Sequence, residues 1–435
     1  MTRIARGAEL RLVFSSGDAG LRLTAKAGST SVGPLSLPAT AAQARRSLHE
    51  QLLEFKDDVP DELDDVSLEH AAAALLKLRT KGRILAYNLF GGYSAFSHLQ
   101  KFCVDVLPQA AASVDDPPLV VVEAPDEFLP VELLPLLEPR WPPRLNTKED
   151  IEAAAGCFLG FAAVTRRVAA RRTIPQDPVL RRAPTLPVAF FHDWTMPGAE
   201  REATFLRTLG RRLALDEGWS GSARNVDEVA EALSRRIFAA RGSTVSIGDQ
   251  IQHFACHCFS GEAPATAWSI RLETAAGSAD VGMELLIDKL GDQWHELDDE
   301  RPSLPLVFMN ACGTSTIDPS SAISFVDVFL DNGNRGFIGT ETRVPDVFAA
   351  AFSGVFYDRL LAGENVGHAL HHARWALLRG NNPLGILYTL YGNPNLHVEP
   401  PFTKEKRDDR RRRRARDLGL RARRSPRSQH PVQTS

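Results

Sequence analysis

Between Leu186 and Leu390 short apolar runs alternate with amphipathic segments, and this alternation constrains the fold more than any other feature of the chain. Strands are expected over residues 186–191, 250–255, 269–273, 304–309, 336–340 and 386–390. Helices are expected over 198–213, 226–240, 283–290, 322–330, 347–361 and 366–378. The helix at 347–361 is the clearest, because Phe348, Phe352, Val355, Phe356 and Leu360 recur at about 3.6-residue spacing. Parallel strands need a long crossover, usually a helix, so this pattern predicts a mostly parallel sheet covered on both faces. In such sheets chemistry collects at the carboxyl ends of the strands.

The preceding part reads differently. Residues 1–40 alternate apolar and polar positions (Leu10, Leu12, Phe14; Leu21, Leu23) around Gly and Ser breaks, which predicts one or two β hairpins. Helical patterns follow over 41–55, with Leu48, Leu52 and Phe55 on one stripe, and over 67–78. Leu119 to Glu123 reads as a short buried strand that turns after Pro125 into Pro130 to Leu134. Pro175, Pro178, Arg181, Arg182 and Pro184 mark 171–184 as a linker. The expected organisation is an α+β region over 1–170, the linker 171–184, an α/β domain over 185–400 and a tail over 401–435.

Charge singles out that tail. Residues 403–427 hold 13 Lys/Arg against 4 Asp/Glu, a local +9 in a chain whose formal net charge is −3. It has no apolar periodicity, so it is expected to be disordered, with a capacity for non-specific attraction to nucleic acid or an anionic surface. The longest apolar run, 153–164, is too short to span a bilayer, and no apolar stretch behind Met1 to Gly7 reads as a signal peptide. The five cysteines do not form a disulfide framework, so a reducing, cytoplasmic setting is the expectation.

Two of the predicted strands end on reactive side chains. His253-Phe254-Ala255-Cys256-His257-Cys258 closes one, and Asn310-Ala311-Cys312-Gly313-Thr314 closes another. The separation of His257 and Cys312 is 55 residues, close to the roughly 50 of caspase-type peptidases, whose cysteine sits in an Ala-Cys-x-Gly context. Thr314 replaces the final Gly of that signature. An ordinary thiol near pKa 8.5 is only a few per cent thiolate at neutral pH but is a strong nucleophile. Amide cleavage needs that thiolate, a proton donor for the leaving amine and donors for the oxyanion. Cys312 is the candidate nucleophile and His257 the candidate acid–base group, with the backbone N–H groups of Cys258 and Cys312 as oxyanion donors. His253, inside its strand, reads as a satisfied core histidine.

Several segments together resemble the CHAT domain, a caspase-like peptidase module. They are Met196-Pro197-Gly198-Ala199-Glu200 before a helix, the His253 to His257 strand, Val307 to Cys312, Gly336 to Thr340 with Val344-Pro345-Asp346, and Leu390-Tyr391-Gly392-Asn393-Pro394. Val131-Glu132-Leu133-Leu134 is similar to a segment that often precedes the peptidase half. The resemblance implies a caspase-like α/β fold and a cysteine endopeptidase acting on a protein partner by a His257–Cys312 dyad, in bacterial signalling or defence, without a cofactor. No repeat array or sensor domain is visible, so activation is expected from another, regulatory protein. The alternative implied is a catalytically weak scaffold for protein interaction. Cys258 stands where the family usually has Gly, and a side chain there would crowd the oxyanion site.

Asp346 is a candidate for substrate binding, as an acidic partner for a basic side chain; equally, it stands where a cap for the following helix would. Zinc is disfavoured at His253, Cys256, His257 and Cys258, because strand residues at that spacing point to both faces. The series Gly333, Gly336, Gly339 lacks dinucleotide-site spacing and reads as turn and strand packing. His368, His371 and His372 are expected on a solvated helix face.

Overall fold

In the computed structural model the described residues are 9–17, 20–37, 66–110, 114–124, 131–169, 177–218, 223–239, 248–260, 268–294, 304–311, 325–342 and 344–400. The N-terminal alternation forms an antiparallel meander of β1 (Leu10–Gly17), β2 (Gly20–Ala27) and β3 (Thr30–Leu37). The helical pattern at 41–55 lies outside the described residues. The pattern at 67–78 belongs to the longer α1 (Leu68–Phe90), which starts where Ser67 Oγ accepts the His70 N–H. Then come α2 (Tyr93–Val106), β4 (Leu119–Ala124), α3 (Lys148–Ala155), α4 (Leu159–Ala162) and β5 (Val164–Ala169). The apolar run 153–164 is therefore helix end, short helix and strand start.

At Val179–Leu180 the chain forms a short strand, β6. The alternating region supplies β7 (Leu186–His192), α5 (Pro197–Thr208), β8 (Leu213–Asp216), α6 (Val226–Ala239) and β9 (Ile251–Ala255). A small antiparallel sheet follows, β10 (His257–Ser260), β11 (Trp268–Thr274) and β12 (Gly277–Gly282). Next are α7 (Met283–Trp294), β13 (Leu304–Asn310), α8 (Phe325–Asn332), β14 (Asn334–Thr340), α9 (Asp346–Leu361) and α10 (Val366–Arg379). The chain closes through a 3-10 turn (Pro383–Leu387) into β15 (Tyr388–Gly392), and then β16 (His397–Val398), which pairs with β6. Two expectations need adjusting. The helix expected over 198–213 stops at Thr208, leaving Leu213 to open β8, and the strand expected from 386 starts at Tyr388.

Among the described residues eleven strands make one sheet in the order β3-β2-β1-β4-β5-β15-β14-β13-β9-β7-β8. Pairing is parallel from β14 through β13, β9 and β7 to β8, and parallel again from β1 through β4 and β5 to β15. The two parallel blocks meet antiparallel at β14 and β15. There Gly336 pairs with Gly392, and a Cβ on Gly392 would lie 2.7 Å from the Gly336 Cα. Gly392 also has φ +140°, so glycine is required on two counts. The result is a mixed α/β fold with a large, mostly parallel sheet flanked by helices.

The sheet separates two cores, and the period-2 alternation of the central strands shows which residues serve each. Val188, Phe190, Ile251, Ala255, Leu306 and Phe308 face one core with α5, α9 and α10. Ala189, Phe191, Phe254, Val307 and Met309 face the other with α6, α7 and α8. Both faces are buried, which is why strands such as β7 and β13 read as continuous apolar runs rather than as alternating ones.

Arg167 of β5 stands at the seam beside β15. Its guanidinium donates to both Glu132 oxygens (3.1 and 2.6 Å) and to Tyr391 Oη (2.5 Å). It also pairs with Glu341 at 2.8 Å, and Arg167, Glu132 and Glu341 are all buried.

Candidate active site

β9 and β13 are adjacent and parallel, and their last paired residues are Ala255 and Asn310. His257 lies two residues beyond the first and Cys312 two residues beyond the second. The main sheet ends at that pair because the chain bends at Cys256 and His257 starts β10 of the small sheet. His257 is thus past the end of a core strand, as the sequence predicts, but in a second strand that the sequence did not announce. Its ring is partly buried, with no hydrogen-bond partner among the described residues. Cys312 lies outside the described residues, as does its N–H; Ala311 is the last described residue before it.

Across the small sheet His257 is opposite Arg271, and Arg271 is opposite Asp280. Residues directly opposite in an antiparallel pair share a face. Arg271 donates to both Asp280 oxygens at 2.7 and 3.0 Å, so the face that carries His257 also carries an exposed ion pair. Cys258 points to the opposite face. It is buried in the same cluster as Ile270, Val281 and Leu286, and it is opposite Ile270. Its side chain is part of that core, on the face of β10 opposite to the one that carries His257.

Asp193 fastens the end of β7 to both sheets. Its N–H donates to the Ala255 carbonyl at 3.0 Å. Its Oδ1 accepts from Thr195 N–H (3.0 Å), Thr195 Oγ1 (2.7 Å) and Ser278 Oγ (3.3 Å).

Beneath the strand ends runs a buried polar chain. His253 is fully buried and stacks on Phe308, with ring centroids 4.9 Å apart and planes 9° from parallel. Its Nε2 lies 2.6 Å from Glu202 Oε2 and its Nδ1 lies 3.0 Å from Tyr357 Oη. Burial, reinforced by the Glu202 charge, pushes the Tyr357 phenol well above its usual range, so it keeps its proton. Glu202 Oε1 accepts from Asn310 Nδ2 at 2.9 Å, and that amide also donates to the Ala349 carbonyl at 2.9 Å. Tyr388 Oη donates to Asn310 Oδ1. Thr340 Oγ1 donates to the Ala311 carbonyl at 3.0 Å, one residue before Cys312. His253 is the satisfied core histidine that its position within the strand implies. Glu202 and Asn310 were missed, although one signal existed: Glu202 interrupts the buried stripe Ala199, Ala203, Leu206 of α5.

Asp346 sits in the first turn of α9 and joins two helix starts. Its Oδ2 accepts from Gly198 N–H of α5 at 2.9 Å and its Oδ1 from Val347 N–H at 2.8 Å. A Cβ on Gly198 would lie 2.4 Å from the Asp346 carbonyl oxygen, which explains the glycine of the Pro197-Gly198-Ala199-Glu200 turn. The histidines of α10 differ from expectation. His371 is buried against Trp375, and burial lowers its pKa well below the ordinary value. His372 is largely buried, 2.7 Å from Glu364 and 3.0 Å from the Val114 carbonyl. The helix packs this face against α4 and the residues before β4, so it is not a solvated face.

The cysteines near α2 and α3 are chemically quiet. Burial pushes the Cys103 and Cys157 thiols up to about 12. Among the described residues no group of three or more His, Cys, Asp or Glu side chains could hold a metal ion, and no helix is long and apolar enough to cross a membrane.

The architecture is that of an α/β protein in which the strands that lead to His257 and to Cys312 are parallel neighbours. A family model of the CHAT domain matches residues 144–416, well over half of the chain, and the chain belongs to that family. A protein of Vitiosangium sp. (strain GDMCC 1.1324) named as a probable protease is 35% identical over 97 residues, covering 22% of this chain and 13% of its own length. Among solved structures, the Arg-specific cysteine proteinase gingipain R is 12% identical with a TM-score of 0.37, covering 70% of this chain and 68% of its own. The Saccharomyces cerevisiae separase–securin complex is 10% identical with a TM-score of 0.46, covering 91% of this chain and 30% of the matched chain.

Proposed function

We propose that this chain is a cysteine endopeptidase in which Cys312 attacks the scissile carbonyl and His257 transfers the proton to the leaving amine. One observation carries the reading: the parallel pairing of Ala255 with Asn310. Consecutive Cα atoms are about 3.8 Å apart, so Cys312 stays close to Ala311, whose carbonyl Thr340 holds. The strands that lead to the histidine and to the cysteine end side by side, about 4.8 Å apart as neighbouring strands are, and such neighbours suit a thiol–imidazole pair. The N–H groups of Cys258 and Cys312 are the proposed oxyanion donors. Membership of the CHAT family and the protease-named relative support the peptidase class. A protein substrate follows from that class, with a regulatory protein as the source of activation.

The test is a pair of substitutions assayed on a protein substrate trapped with Cys312→Ala. Cys312→Ala and His257→Ala should each remove nearly all cleavage, and the double variant should be little worse than either, because groups acting as a unit are not additive. Cleavage retained in folded Cys312→Ala sinks the assignment and leaves an interaction scaffold as the better reading.

A further inference from the structure

We infer that Glu202 is a positioning residue: it clamps the two strands that lead into His257 and Cys312 and thereby sets the approach of the thiol to the imidazole. The inference rests on the dyad proposed above. One carboxylate spans both strands. Its Oε2 holds His253 of β9 at 2.6 Å, four residues before His257, and its Oε1 holds Asn310 of β13 at 2.9 Å, two residues before Cys312.

The placement matters because the ladder between β9 and β13 stops at Ala255 and Asn310. Up to that pair the two strands run in register, and after it the chain of β9 bends at Cys256 into β10. At this end of the pairing Asn310 is held on every side of its amide. Nδ2 donates to Glu202 and to the Ala349 carbonyl, and Oδ1 accepts from the Tyr388 hydroxyl. Tyr357 in turn fixes the His253 ring from α9.

Stability alone does not call for this arrangement. Glu202 is 2% exposed, in a core shared with Phe190, Phe308 and Phe352, where a carboxylate is costly to bury. An apolar residue would continue the Ala199, Ala203, Leu206 stripe, and buried charged pairs are often replaceable by apolar groups without loss of stability. What an apolar residue could not do is hold His253 and Asn310 in one fixed geometry.

The experiment measures alkylation of Cys312 by iodoacetamide in the full chain, by mass spectrometry of the Cys312 peptide, from about pH 5.5 to about pH 9. Iodoacetamide reacts with the thiolate, so the profile reports how well the imidazole supports it. Wild type, His257→Ala, Glu202→Gln and Tyr388→Phe are compared at a temperature where circular dichroism shows each to be folded. In wild type the rate should persist toward low pH, and His257→Ala should lose that limb. Glu202→Gln should fall about tenfold near pH 6 and converge with wild type near pH 9, since small misplacements of reacting groups cost factors of this order. Tyr388→Phe removes only one hydroxyl, so it covers the case in which Glu202→Gln does not fold; about threefold in the same direction is expected. A purely structural role would lower the melting temperature and leave both profiles at the wild-type shape, and that result overturns the clamp while sparing the dyad. A wild-type profile identical to that of His257→Ala overturns the dyad and the clamp with it.

Discussion

Replacing Arg167 with Met tests how the two parallel blocks of the sheet are joined. Arg167 is 1% exposed and faces two buried carboxylates, Glu132 and Glu341, while its guanidinium lies 5.0 Å from the centre of the Tyr391 ring. Met matches much of the apolar stem but leaves both carboxylates without their cation. Removing one member of a buried pair costs about 3–5 kcal/mol, and the lost ring contact adds roughly 1 kcal/mol. At about 2.1 cal/mol/K of unfolding entropy per residue over roughly 400 residues, a loss of about 4 kcal/mol corresponds to a fall in melting temperature of about 5 °C. The pH dependence gives a second signature. Burial raises the Glu132 carboxyl, but Arg167 overrides it and holds the group below its ordinary range, so its stabilisation is present above the unfolded-state value and is lost as pH falls through the folded one. Glu341 is the reverse: burial pushes it up, so its contribution is full when protonated and diminishes as pH rises through its folded value. Without Arg167 both groups shift upward, so the deficit should be largest near neutral pH and shrink toward about pH 5. Urea unfolding at the two pH values reads this directly. Adding Glu132→Gln and Glu341→Gln should recover part of the loss. A single variant within about 1 kcal/mol of wild type at neutral pH, or a deficit independent of pH, refutes the reasoning.

Cys258→Gly should destabilise by about 1–3 kcal/mol without raising peptidase activity, because the thiol fills the core beside Ile270; a faster, equally stable variant would restore the crowding explanation. Asp346→Asn should cost about 1 kcal/mol, since Asn has one oxygen where two N–H groups are accepted, and should leave substrate preference unchanged. A selective loss of cleavage after Arg or Lys would instead place Asp346 in substrate binding. Deleting residues 403–435 should leave melting and activity unchanged and abolish any binding to nucleic acid or anionic vesicles; in the full chain that binding should weaken steeply with added salt, and salt-insensitive binding would point to a structured site.

Strands and helices between Leu186 and Leu390 were legible because burial on both faces makes strands such as Leu304–Asn310 continuously apolar and bounds them with polar breaks. The strands β8, β10 and β12 were not, since their short sequences carry neither a full apolar run nor a clear alternation. α10 misled for a related reason. Its histidines are polar by type, and nothing local tells that α4 and the residues before β4 cover them.

By itself the sequence determined that the segments leading to His257 and Cys312 are core strands that end just before them, because hydrophobic period and motif order are local properties. Only the tertiary structure decided that β9 and β13 are neighbours with Ala255 opposite Asn310, that Glu202 bridges them, and that Cys258 turns into a core. Strand order, register and the burial of a polar side chain depend on contacts between residues far apart in the chain, and no local pattern encodes them.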